Sequence, residues 1–148
     1  MKKIILLILI AMMLIACPGP DDDFNPITIE TILIGKGNLS GSENIPQQNL
    51  IIIDDDAWTQ LRSQMDSIND VTSNFSEVEI DFTTHQIIAI FDEIKPNAGH
   101  SLDVSVTEYD NEINVIIIDL EPEGNATTVI TQPYLIVKIP INDKPIIF

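Results

Sequence analysis

Residues 86–107 constrain the fold most, because within this stretch one strand pattern changes to another across a turn. Residues 87–91 are a continuous apolar run, which is typical of a strand buried on both faces. From His100 onward apolar and polar residues alternate, which indicates a strand with one wet face. Turn-forming residues occupy positions 95–99. The stretch therefore predicts two strands joined by a turn-rich loop, around which the other segments pack or pair.

Several other segments are predicted to be strands. These are residues 27–34, 50–53, 78–83, 113–120 and 126–139, whereas glycine-rich residues 35–49 are predicted to be a loop. Pro133 interrupts the last segment, so that strand either starts anew there or lies at an edge. Because short turns separate the strands, we expect antiparallel pairing. The predicted fold class is α+β, mainly β, with an antiparallel sheet of about six or seven strands.

One amphipathic helix is predicted to pack on this sheet. Its apolar residues recur at intervals of three and four, and they are Trp58, Leu61, Met65 and Ile68. Aspartates occupy positions 54–56 at its start, where one caps the first turn and its neighbours favour the positive end of the helix dipole. The helix is expected to extend from Asp55 to Ile68.

The composition is strongly acidic. The 148 residues contain 23 acids and 7 bases, which gives a formal net charge of −16. Such a surface repels phosphate backbones, so nucleic acid is excluded as an expected partner. Because 45% of the residues are hydrophobic, the chain is expected to fold as one domain, over residues 27–148.

The N-terminal residues have the pattern of a bacterial lipoprotein signal. Lys2 and Lys3 precede an apolar run at residues 4–15, and residues 14–17 match a lipobox that ends at Cys17. The run is shorter than the roughly 20 residues that a spanning helix needs. We therefore expect a signal peptide at residues 1–16, lipid on Cys17 that anchors the protein to the membrane, and an acidic tether at residues 17–26. The expected location is the cell envelope, at the outer membrane, with surface and periplasmic display both open.

Residues 86–140 resemble the C-terminal domain of the protease-complex subunit PrcB family. The resemblance rests on the turn at residues 95–100, on Pro122 in a second hairpin and on residues 131–134 near the end. Residues 80–83 also resemble the Asp-Phe strand start of the family. Two positions differ, because Ala98 stands where the family favours glycine and His100 where it favours tyrosine.

The resemblance implies a lipid-anchored accessory protein that binds and supports a secreted or surface peptidase and has no enzymatic activity of its own. Two alternatives stay open: a protease inhibitor of chagasin-like shape, and a structural or glycan-binding surface lipoprotein. In agreement with a non-enzymatic role, the sequence contains no HExxH pair, GxSxG elbow, Walker A loop or EF-hand spacing. We therefore expect no catalytic residue, no metal and no cofactor.

The expected partner-binding surface lies at one end of the sheet, where loops on a rigid scaffold usually carry binding residues. A tyrosine beside a fixed proline also offers a large ring with little rotamer entropy to lose. The predicted contact residues are Lys95, Pro96, Asn97, Gly99, His100, Pro133 and Tyr134.

Overall fold

The computed structural model describes residues 25–124 and 126–148. The predicted signal peptide, Cys17 and most of the predicted tether lie outside the described residues. The elements within them, in chain order, are β1 (Ile27–Thr28), β2 (Ile32–Leu39), β3 (Gln48–Ile52), α1 (Asp55–Met65), a 3-10 turn (Thr72–Asn74), β4 (His85–Phe91), β5 (Ser101–Glu108), β6 (Ile113–Leu120), β7 (Gln132–Pro140) and β8 (Ile146–Ile147).

The described strands form two four-stranded sheets. The outer sheet has the order β1-β5-β6-β8 and the inner sheet has the order β2-β7-β4-β3. All pairs are antiparallel except β6 with β8, which are parallel. The mainly β, α+β fold class with antiparallel pairing and one helix is thus confirmed, and its strands are divided between two sheets.

The inner sheet is the middle layer of the molecule. One of its faces packs against the outer sheet through a cluster that includes Ile88, Leu135 and Val106. Its other face packs against α1 through a second cluster that includes Ile87 and Trp58. The central strands β4 and β7 are therefore buried on both faces, and residues 87–91 are each no more than 2% exposed, as their continuous apolar run predicts.

The helix begins as predicted and ends earlier than predicted. The Asp54 carboxylate accepts a hydrogen bond from the Ala57 backbone N–H at 2.8 Å, and the buried residues of α1 are Trp58, Leu61 and Met65. The expected fourth apolar position is wrong, because Ile68 follows the end of the helix and is 53% exposed. The helix ends because the Asp66 carboxylate turns to accept the backbone N–H groups of Val71 and Thr72.

The two strands of residues 86–107 do not form a hairpin. β4 belongs to the inner sheet and β5 to the outer sheet, so residues 92–100 cross from one sheet to the other. The physical reason is burial: β4 needs cover on both faces, and β5, paired with β6, supplies an apolar face to one of them.

Three strand assignments from the sequence are wrong. The expected single strand at residues 27–34 is divided, because β1 pairs in the outer sheet, residues 29–31 belong to no strand, and β2 pairs in the inner sheet. The expected loop at residues 35–39 is part of β2, in which Gly35 is required because a Cβ there would overlap the Phe75 ring. The expected strand at residues 78–83 is irregular instead. This segment runs along the edge of β2, where Ser76 donates its backbone N–H to the Ile34 carbonyl at 2.9 Å, and its Val78 carbonyl accepts from the Trp58 indole N–H at 2.9 Å.

The last long strand starts anew at the interrupting proline. β7 begins at Gln132, and Pro133 is its second residue. Residues 126–130 are not in a strand, which shortens the predicted segment. β7 is central, between β2 and β4, and Leu135, Val137 and Ile139 are buried against the outer sheet.

Candidate functional site

The crossover loop, residues 92–100, is held against the chain that leads into β7. Lys95 and Thr131 exchange backbone hydrogen bonds of 2.7 and 3.0 Å, and the Ala98 N–H donates to the Thr127 carbonyl at 3.0 Å. The Thr131 hydroxyl donates to the Asn97 carbonyl at 3.1 Å. The two regions that the sequence predicted to lie together, at residues 95–100 and 133–134, are therefore neighbours, and the loop is anchored along its length.

Lys95 is committed to carboxylates of its own chain. Its Nζ lies 2.9 Å from Asp92 Oδ2, 3.2 Å from Glu93 Oε1 and 3.4 Å from Asp119 Oδ2. The Asp92 carboxylate, with help from the other two, raises the pKa of Lys95 despite the opposing effect of burial. The ammonium group therefore ties the loop to β6, and it is not a free cation for a partner.

Gly99 supplies the turn that the sequence placed at this position. Its φ is +96°, and a Cβ there would lie 2.7 Å from Cβ of Pro122, so both the conformation and the close approach require glycine. Ala98 is not among the described residues with positive φ, so the replacement of the glycine favoured by the family causes no backbone strain there. Gly99 and Pro122 belong to two separate segments that resemble the PrcB family in sequence, and in the structure the two residues are in contact.

His100 is buried beneath the loop. It is 7% exposed, and its Nε2 lies 3.2 Å from Asn97 Oδ1. Its Nδ1 has no hydrogen-bond partner and lies 3.8 Å from Glu121 Oε2. The predicted role of His100 as a surface contact is therefore not compatible with its position, and it supports the loop from inside.

Pro133 and Tyr134 are also interior residues. Pro133 is buried, and Tyr134 is 5% exposed, with its ring centroid 6.3 Å from that of Phe75 and 6.4 Å from that of Phe91. Burial raises the pKa of the Tyr134 hydroxyl. The expectation that this ring is offered to a partner is wrong, because β7 is central and both of its faces are covered.

The exposed apolar surface at this end of the molecule includes Pro96 and an apolar end patch. We define the apolar end patch as Ile94, Val129 and Ile130, which are 52%, 46% and 61% exposed. Ile94 and Ile130 both lie against Gly41, since a Cβ there would be 3.4 and 3.3 Å from their Cγ2 atoms. Sequence reasoning missed this patch because residues 129 and 130 were assigned to a buried strand.

No group of three or more histidine, cysteine or acidic residues in the described chain is arranged to hold a metal ion. Among the same residues, no helix is long and apolar enough to cross a membrane. Comparison of the chain with protein families, curated proteins and solved structures finds no match.

Proposed function

We propose that this chain is a lipid-anchored, non-enzymatic protein of the bacterial cell envelope, which binds and supports a secreted or surface peptidase. The contact is made through the apolar end patch and Pro96. The lipid on Cys17 supplies the membrane attachment, and the folded domain supplies the recognition.

The observation that carries the proposal is the combination of an anchored loop with exposed apolar side chains. Ile94 and Ile130 are more than half exposed, although the backbone beside each of them is fixed by the Lys95–Thr131 pairing. A surface that is already ordered loses little entropy on binding, and exposed apolar side chains gain by burial against a partner. Both properties are those of a protein-binding surface.

The peptidase as partner is supported by the resemblance of residues 86–140 to the PrcB family. The contact between Gly99 and Pro122 is in keeping with it, because residues from the separate matching motifs meet at one end of the fold. A glycan-binding role has less support at this end of the molecule, since Trp58, Phe91 and Tyr134 are all within the core, and the exposed aromatic residues Tyr109 and Phe148 do not belong to the apolar end patch.

A capture experiment tests this function. The chain carrying Ile94→Ser and Ile130→Ser is compared with the wild type and with a control carrying Ile116→Ser and Ile118→Ser, which are exposed isoleucines on β6. We expect a peptidase to co-purify from native membranes with the wild type and the control, and at least tenfold less with the end-patch variant at an unchanged melting temperature.

The stability and activity of the captured enzyme then define its relation to this protein. A peptidase that becomes less stable when this chain is deleted supports the accessory role. One that becomes more active identifies an inhibitor instead, and the absence of any peptidase among the captured proteins contradicts the proposal.

A further inference from the structure

β3 is an edge strand whose outer side has no strand neighbour in residues 25–124 and 126–148. At the opposite edge of the inner sheet, the Ser76 backbone N–H and hydroxyl occupy the Ile34 and Leu33 carbonyls of β2. The edge of β3 has no such cover in the described chain. Alternate residues of an edge strand direct their N–H and C=O groups outward, where they can pair with another extended chain.

A groove of about 290 Å³ lies between β3 and one flank of α1. Its helix wall contains Ala57, Gln60, Leu61 and Gln64, which recur at intervals of three, one and three and so lie on one side of the helix. The strand wall is mainly Leu50 and Ile52. A chain added to β3 would therefore place every second side chain in this groove.

A second opening, of about 260 Å³, lies on the other side of the same strand, between the two sheets. Its lining includes Asn49 of β3, Leu102 of β5 and Ile117 of β6. The remaining alternate side chains of an added strand would meet this opening. β3 thus has a receptive surface on both sides of its free edge, which is the geometry of strand addition in a groove beside a helix.

The charges along β3 identify the class of occupant. In a chain of net charge −16, the middle of this edge carries only apolar and amide side chains, among them Gln48 and Asn49. The two ends are acidic. Exposed Asp55 and Asp56 follow the last residues of β3. At the other end Asp92, which accepts from the Gln47 amide at 3.3 Å, lies with Glu93 and Asp119 around the single Lys95 ammonium group, so three carboxylates and one cation leave an excess of negative charge there.

We propose that the edge of β3 binds an extended peptide segment of a partner protein, added to the inner sheet as a further strand. The segment is uncharged over about five residues, a length of about 16 Å, and carries basic residues on both sides of this stretch. Its backbone pairs with β3, its central side chains enter the groove and the opening, and its flanking bases meet the acidic ends. This site is separate from the apolar end patch, and it does not depend on the partner being a peptidase.

The test uses the complete chain and a synthetic peptide with the sequence Lys-Lys-Val-Thr-Val-Thr-Val-Lys-Lys, labelled for fluorescence polarisation. Two altered peptides accompany it: one with the four lysines replaced by glutamate, and one with N-methyl groups on alternate residues, which removes the backbone donors. Gln60→Arg places a long cation in the groove. Thr59→Arg is the matched control, because it makes the same charge change at an exposed neighbouring position outside the groove lining.

We expect the lysine-flanked peptide to bind the wild type and Thr59→Arg with Kd values within twofold of each other, and Gln60→Arg at least tenfold more weakly. We expect both altered peptides to lose at least tenfold in affinity for the wild type. Amide chemical-shift changes should concentrate in residues 48–52 and 57–64. The proposal is overturned if the lysine-flanked peptide does not bind the wild type, or if the N-methylated peptide binds as tightly as the lysine-flanked one. It is also overturned if Gln60→Arg binds as tightly as the wild type, or if the shifts centre on residues 115–120 of β6.

Discussion

At the scale of single residues, Lys95 joins parts of the chain that are far apart in sequence. Asp92 and Glu93 belong to the crossover loop, whereas Asp119 is near the end of β6. The sequence places Lys95 in a loop at one end of the predicted sheet, and this position suggested a role in binding. The three carboxylates could not be predicted, because their convergence depends on how the two sheets are stacked. Turn chemistry, in contrast, is local, so Gly99 was correctly predicted.

Replacement of Lys95 by methionine is expected to destabilise the protein. The variant keeps most of the apolar stem and leaves three carboxylates close together without a cation. Solvent at the exposed Glu93 screens part of the repulsion, so the expected loss in free energy of unfolding is about 1–2 kcal/mol. Lys36→Met, at an exposed position of β2, is the control. It should change the free energy of unfolding, measured by urea titration, by less than about 0.5 kcal/mol.

The pH dependence of this contribution has a defined sign. The pKa of Lys95 is raised in the folded protein, so the stabilisation is complete below the ordinary lysine pKa of about 10.4 and is lost as pH rises through the higher folded value. The difference between wild type and Lys95→Met should therefore persist at pH 9 and decrease only under more alkaline conditions. A difference that is already gone at pH 9 would contradict this account.

At the scale of elements, hydrophobic periodicity predicted those segments whose burial it describes directly. The apolar run of β4, the alternation of β5 and the buried face of α1 all follow from the sequence. The pattern failed at residues 78–83, where Ile80 and Phe82 pack against the core on the helix side of the inner sheet but the segment does not pair as a strand. It also failed at residues 35–39, where a glycine in β2 makes room for Phe75. Such close approaches are set by tertiary packing and leave no periodic signal.

The helix cap provides a prediction at this scale. Asp54→Ala removes the carboxylate that accepts the Ala57 N–H, and we expect a loss of about 1 kcal/mol in the free energy of unfolding. Asp56→Ala is the control, since it removes an exposed acid from the first turn without removing the cap, and its effect should be below that of Asp54→Ala. Equal losses for the two variants in thermal unfolding would show that general charge at the helix start matters and that the cap hydrogen bond does not.

At the scale of the whole molecule, the sequence predicted which segments meet at one end of the fold, and it did not predict which of their side chains are exposed. The sequence correctly brought residues 95–100 and 133–134 to one end, because consecutive elements and turns fix which ends of strands meet. It could not show that the ring of Tyr134 is buried, since this depends on β7 being central in the inner sheet. The exposure of Ile94 and Ile130 could not be predicted either, since Ile94 lies in the crossover loop and Ile130 belongs to the chain before β7, which is not in a strand.

Attachment to the membrane is the prediction that concerns the complete protein. In Cys17→Ser the residue proposed to carry the lipid is replaced, so we expect the protein to move from the membrane fraction to the soluble fraction and to lose incorporation of radiolabelled lipid. Cys17 is the one cysteine of the chain, so the substitution removes no disulfide from the domain. A variant that is processed equally and stays membrane-bound would show that the lipoprotein assignment is wrong.

The position of β7 also affects the time course of folding. β7 lies between β2 and β4 in the inner sheet, and its register joins Ile32 to Lys138 across almost the whole described chain. A polypeptide that leaves a ribosome N terminus first therefore exposes β2 without its strand partner until β7 has also been made. Contacts of such long sequence separation form slowly. During that time about a hundred residues can be made while β2 is still unpaired, and the inner sheet closes only once β7 is present.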